Sequence, residues 1–166
     1  MALRNSTNIV AFDADAAMEA AREVAGDALR TAVEYDQESY NVLFVDDTVQ
    51  SLYADKEDMY DHFDAISSYV HLDFAERDLF EESLLPAAGA VQALVTRMEY
   101  LTLVRIFVGN EGLFLNLDPD TPVIEVIDAV KLAIAISCCL NKSVAHLSQG
   151  YQGAVRVGLH GLTNRP

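Results

Sequence analysis

Apolar residues recur along the chain at two different spacings, and each change of spacing marks a new element. Met18, Ala21, Ala25 and Ala28 fall three or four apart, with Ala17 and Val24 beside them. That is one face of a helix, and Asp13 or Asp15 is the residue that can cap it. The helix is expected to run to about Ala28. Leu29, Thr31, Val33 and Tyr35 then alternate with Arg30, Ala32 and Glu34, the pattern of a strand with one wetter face. Asp36-Gln37-Glu38-Ser39 reads as a turn, and Tyr40–Val45 as a second strand completing a hairpin. From Thr48 to about Leu85 the spacing is helical again. Met59, His62, Phe63, Ile66, Tyr69 and Val70 carry it, and Pro86 ends it. Ala87–Tyr100 fits a strand through Val91, Ala93 and Val95, or the start of a helix. Leu101–Val108 and Leu113–Leu117 are strands around a Gly109–Gly112 turn. Thr121 and Pro122 form a helix entry, and the helix is expected to reach about Leu140. Val123, Ile127, Val130, Ile134 and Cys138 make one face, yet the helix is apolar nearly all round. A helix of that kind belongs in a core or an oligomer interface.

The resulting order, α-β-β-α-β-β-(β)-α, predicts an α/β (α+β) fold with a central antiparallel sheet of about five strands flanked by helices. It resembles the order of the profilin-like group, which includes roadblock-type and GAF-type sensor and adaptor domains. That likeness of topology implies nothing about chemistry. Residues 1–140 are expected to form a single domain. Residues 141–166 turn Gly-rich and nearly free of acids, and read as a tail with one short strand around Val155 and Val157.

At 51% hydrophobic residues the chain can build a core without staples. Its charge changes the picture more. Acidic residues number 26 against 11 basic, for a net charge of −15, and three of the basic residues are lysines. Such a surface repels itself in dilute buffer. In molar salt the screening length falls to about 3 Å and the carboxylates keep the protein hydrated. Because the acids are spread along the chain, adaptation to concentrated salt is the preferred reading over an acidic docking tail. Nucleic acid is excluded as a partner, since no two of the eight arginines are adjacent and phosphate binding needs clustered cations. An anionic membrane surface is disfavoured for the same reason. Val130–Leu140, the longest apolar stretch, is too short for a membrane span. Met1–Phe12 lacks the features of a signal peptide. Cys138 and Cys139 are adjacent, so no disulfide framework exists. A cytoplasmic location follows.

Three segments resemble a family of small acidic haloarchaeal proteins of uncharacterised function, with the bacterio-opsin-linked product as a candidate close relative. They are Gly26–Arg30 with Val33–Asp36, Tyr40–Asp47, and Leu103–Phe107 with Gly112–Leu115. The resemblance spans roughly residues 24–137. It implies a salt-rich cytoplasm and supplies no catalytic residues.

Candidate chemistry is thin. Asp58, Asp61 and His62 lie within about a turn of helix, a spacing at which carboxylate oxygen and imidazole nitrogen could share a divalent ion. A solvated acidic face is the more economical account. His71 and Asp73 could serve as a general base and its orienter, but no nucleophile motif accompanies them. Asp118-Pro119-Asp120 is better read as turn chemistry. Cys138-Cys139 is expected to be buried structurally. No phosphate-binding glycine loop occurs. The aromatic residues Tyr35, Tyr40, Phe44, Tyr53, Tyr100, Phe107 and Phe114 are expected in the core. No cofactor is implied, and monovalent salt cations are the ions such a surface could hold. The expected function is that of a non-enzymatic sensor or adaptor acting as a homo-oligomer that docks a protein partner, with Val123, Ile127, Val130 and Ile134 as the oligomer interface. The alternatives are a regulatory domain binding a small molecule or cation, and a metal-dependent hydrolase.

Overall fold

A helix layer on each face of one sheet decides which side chains are dry. The computed structural model describes residues 1–157, with side chains over residues 1–140. Its strands are β1 (Leu3–Arg4), β2 (Leu29–Asp36), β3 (Tyr40–Val45), β4 (Ala93–Arg97), β5 (Thr102–Val108) and β6 (Glu111–Leu117). Its helices are α1 (Ala14–Ala25), α2 (Asp47–Gln50), α3 (Lys56–Ser67), α4 (Val70–Leu79) and α5 (Val123–Val157). The six strands lie in the order β1-β3-β2-β6-β5-β4, every neighbouring pair antiparallel. The expected antiparallel sheet with flanking helices is therefore present, with β1 added at one edge. A two-residue strand is below the length at which alternation can be read.

Period two sends Leu113, Leu115 and Leu117 of β6 to one face, where they meet Ala14, Ala17, Met18 and Ala21 of α1 and Val126, Ile127 and Val130 of α5. Alanine on α1 lets the helices approach the sheet closely. Phe114, between those leucines, packs on the other face with Val33, Val42, Met59 and Phe63. Tyr35, Phe74 and Phe107 continue that second core. Because both faces are covered, β2 has no wet face. Ala32 and Glu34 are fully buried, against the expectation from alternation.

The buried Glu34 carboxylate is held without a cation. It accepts hydrogen bonds from Thr7 Oγ1 (2.6 Å), Asn8 N (2.7 Å), Asn41 Nδ2 (2.7 Å), Ile9 N (3.3 Å) and Val10 N (3.4 Å). Consecutive backbone N–H groups form an anion-binding nest around it, and this fastens the N-terminal segment across the sheet. Arg30 performs a similar task at the opposite end of β2. Its guanidinium donates to both oxygens of Asp118, at 2.7 and 2.8 Å, and to Asp46 at 2.6 Å. Asp46 in turn caps α2 through Val49 N.

Several expectations are corrected. The single helical run 48–85 is three α-helices and a closing π-helical turn at Phe80–Leu84, because Ser51–Asp55 and Ser68–Tyr69 carry the breaks and a fresh cap, Asp55, starts α3. Ala87–Tyr100 resolves into strand β4, since β5 offers a partner edge. No strand forms around Val155 and Val157, because α5 runs on to Val157; an isolated helical glycine costs only about 1 kcal/mol. Residues 158–166 of the expected tail lie outside the described residues. Tyr100 is 80% exposed, and Cys138 and Cys139 face solvent, because the inward arc of α5 is taken by Val126, Ile127 and Val130. Among the described residues, no helix is long and apolar enough to cross a membrane.

Candidate functional site

Asp58, Asp61 and His62 do not assemble into a metal site. Asp58 accepts from Ala54 N at 3.1 Å, closing the first turn of α3, and His62 Nδ1 hydrogen-bonds Tyr53 Oη at 2.7 Å. Asp61 stays in solvent. Among the described residues no group of three His, Cys, Asp or Glu comes together. One turn of helix supplies two donors, and a third must come from elsewhere in the fold; among the described residues none is placed to supply it. His71 and Asp73 are also separated in role. His71 Nδ1 bonds Ser68 O, whereas Asp73 of α4 pairs with Arg105 of β5. Asp118 and Asp120 are taken by Arg30 and Arg97.

The structure builds a different site. A cleft of about 500 Å³ opens between the sheet and the α2–α4 layer. Its floor is polar in an unusual way. Thr31 of β2 and Asn116 of β6 are register partners, and Leu103 of β5 sits next in that row. Arg105 lies one pleat along, paired in register with Phe114. Arg105 Nη1 donates to Asp73 Oδ1 at 2.6 Å and Nη2 to Thr96 Oγ1 at 2.7 Å. Both members of the Asp73–Arg105 pair are mostly buried, at 13% and 15% exposure. Burial pushes the Asp73 carboxyl above its ordinary value, against the pull of Arg105. Burial also raises the Tyr35 phenol, with Asp73 adding to it. Thr31 Oγ1, Asn116 Oδ1 and Arg105 Nε are buried and have no hydrogen-bond partner among the described residues. The walls are apolar and aromatic, from Tyr53 and Phe63 on one side to Met98 and Leu101 on the other.

A second feature is the outer side of α5. The expected interface residues Val123, Ile127, Val130 and Ile134 face inward: Val130 is fully buried, Ile127 is 9% exposed, and all four pack in the core shared with α1. Val123 and Ile134 are only partly buried where they pack against that core. Among the described residues of α5, the large apolar side chains left in solvent are Ile124, Leu132, Ile136 and Leu140, each 51–66% exposed.

Sequence reading missed Thr31, Arg105 and Asn116 as a set. The available signal was a polar residue in the middle of an apolar strand, as in Val104-Arg105-Ile106 and Leu115-Asn116-Leu117. What it lacked was the register that places the three together.

None of the curated proteins matches the chain. Among solved structures it is similar to a Roadblock/LC7 domain from Streptomyces avermitilis, at 13% identity and TM-score 0.49, over 74% of this chain and 91% of that one. It is also similar to the gliding protein MglB from Thermus thermophilus, at 18% identity and TM-score 0.43, over 78% and 91%. A structure described as MglB with tetrameric arrangement is similar at 18% identity and TM-score 0.44, over the same shares. Residues 15–135, from the first turn of α1 into α5, match the model of the Domain of unknown function (DUF7522), and the chain belongs to that family.

Proposed function

We propose that this protein is a non-enzymatic regulatory or adaptor domain that works by self-association and partner docking in a salt-rich cytoplasm of haloarchaeal type. The observation that carries this reading is the outer side of α5. Ile124, Leu132, Ile136 and Leu140 sit on the arc opposite the core-facing residues, each more than half exposed. An apolar row of this kind on a protein surface is a contact surface. A second copy is the occupant that suits it best. The chain carries a net charge of −15, and close approach of two such copies is tolerable only where salt screens them. Molar salt also strengthens apolar burial where the salt is excluded from the surface. Charge and stripe therefore point to the same solvent. The titratable side chains that fill out a catalytic centre are engaged elsewhere: Asp58 closes a helix turn, His71 bonds backbone, and Asp73 is locked to Arg105.

The test is molar mass by light scattering across a KCl series. The wild type is expected to be an oligomer in molar KCl and to dissociate as salt is withdrawn. Leu132→Glu with Ile136→Glu, at exposed positions that leave the fold intact, is expected to be monomeric throughout. A wild type that is monomeric in molar KCl refutes the reading, as does a double variant with unchanged mass.

A further inference from the structure

The cleft between the sheet and α2–α4 is a separate matter from self-association, and its accessible surface decides what it can hold. Thr31 Oγ1, Asn116 Oδ1 and Arg105 Nε lie beneath that surface, closed to solvent, so a ligand cannot reach them. The wall above them is hydrocarbon and aromatic ring, with Phe63 and Ile66 of α3 facing Leu103 and Phe114 of the sheet. The mouth is apolar as well. Leu52 from the α2–α3 link, Tyr69 from the α3–α4 link and Met98 from the β4–β5 turn line the cleft, at 76%, 66% and 48% exposure. A single exposed leucine needs no explanation, but large apolar side chains from three segments converging on one concavity mark a contact site. A volume of about 500 Å³ suits a small molecule.

Charge narrows the class. Besides tyrosine, the ionisable side chains of the lining are Asp73, Arg105 and His62. Asp73 and Arg105 neutralise one another at 2.6 Å, and both are mostly buried. Arg105 Nη2 is held in addition by Thr96 Oγ1 at 2.7 Å. His62 lies at the exposed side, where its Nδ1 is bonded to Tyr53 Oη at 2.7 Å. An ion entering the cleft would shed hydration and find no unspent counter-charge in the lining to replace it. The acids on the outer surface do not alter this, since in molar salt their field fades within about 3 Å. We propose that the cleft binds a small uncharged molecule with a hydrocarbon body, held by apolar contact and without a polar group of the ligand paired inside.

The test uses the full chain in molar KCl at about pH 8.5, where an ordinary imidazole is neutral. Four probes share a naphthalene body: 1-methylnaphthalene, 1-naphthamide, 1-naphthoate and 1-naphthylmethylammonium. Binding is followed by methyl NMR shifts. 1-Methylnaphthalene is expected to bind one per chain at about 0.1 mM, within reach of so small a body, with shifts centred on Met98, Leu101 and Leu103. It is expected to bind at least about tenfold more tightly than the two charged probes, and no more weakly than 1-naphthamide. Leu103→Trp, which fills the cleft, is expected to weaken it about tenfold or more. Leu132→Glu with Ile136→Glu is expected to leave its affinity unchanged, so failure here and failure of self-association are told apart. Either charged probe binding as tightly as 1-methylnaphthalene overturns the assignment, and 1-naphthamide binding more tightly does so by showing a polar pairing inside. Failure to saturate, shifts centred on α5, or an unchanged affinity in folded Leu103→Trp overturns it too. Should Leu103→Trp not fold, Leu52→Glu with Met98→Glu, both at exposed positions of the mouth, replaces it with the same expected loss.

Discussion

Replacing Glu34 by Gln should cost about 2–3 kcal/mol of folding free energy, although the two side chains are the same size. Glu34 is fully buried and accepts from five donors, three of them at 2.6–2.7 Å. Hydrogen bonds to a charged acceptor contribute about 1.5–3 kcal/mol, against about 1 for neutral pairs. If the new carbonyl takes the Oε1 position, Asn8 N, Ile9 N and Asn41 Nδ2 keep an acceptor but lose its charge. The new NH₂ then occupies the Oε2 position, where it faces Val10 N–H, a second donor. Thr7 Oγ1 can turn and accept, so one backbone N–H is stranded, at about 1–2 kcal/mol. Weakening of the three short bonds adds a similar amount, and the smaller desolvation of an amide offsets part of the sum. The assay is urea denaturation in molar KCl, paired with amide hydrogen exchange. Exchange should accelerate first at Asn8, Ile9 and Val10, about tenfold for every 1.4 kcal/mol of local stability lost. A stability change below about 0.5 kcal/mol, or unaltered protection at these three amides, would refute the claim that a carboxylate nest fastens the N-terminal segment.

Further outcomes follow from other contacts. Gly112→Ala places a Cβ 2.6 Å from Tyr35 Cζ, and Tyr35 is 1% exposed, so its ring cannot swing clear. The expected loss is about 1–3 kcal/mol, and Tyr35→Leu in the same chain should recover part of it in a double-mutant cycle. Arg30→Lys keeps the charge but forfeits the two-pronged contact with Asp118; a loss of about 1–2 kcal/mol by thermal denaturation is expected, and a neutral result would show the fork to be dispensable. Burial pushes Asp36 up, but hydrogen bonds from Glu38 N, Ser39 N and Ser39 Oγ prevail and hold it below its ordinary value. The folded-state value is depressed, so this contribution is present above the unfolded value and fades as pH falls through the folded one. An NMR titration of the Asp36 carboxyl should show the depressed midpoint, and Asp36→Ala should flatten the acid limb of the stability profile.

Much of the architecture is written in local patterns. Alternation at Leu29–Tyr35 and apolar runs rich in β-branched and aromatic residues between turns predict strands there and at Tyr40–Val45, Leu101–Val108 and Leu113–Leu117, and the structure has strands at all four within two residues. The cap at Asp13 and the spacing of Ala17, Met18 and Ala21 set α1 and its inward face. These features depend on neighbours a few residues apart, whose relation is fixed by backbone geometry alone. The acidic balance likewise needs no coordinates, since net charge is a sum. The rest required long-range placement. Glu34 reads as a wet residue until the segment 7–10 closes over it. The apolar α5 has two faces to offer, and only its packing against α1 shows that Ile127 and Val130 are used up while Leu132 and Ile136 are left over. Arg105 and Asn116 share the β5–β6 hairpin, but Thr31 comes from β2, far away in the chain, and nothing local says that it joins their floor. Their meeting depends on strand order and register, which are settled by burial summed over the whole sheet and by two bulges in β2 that no short window of sequence contains.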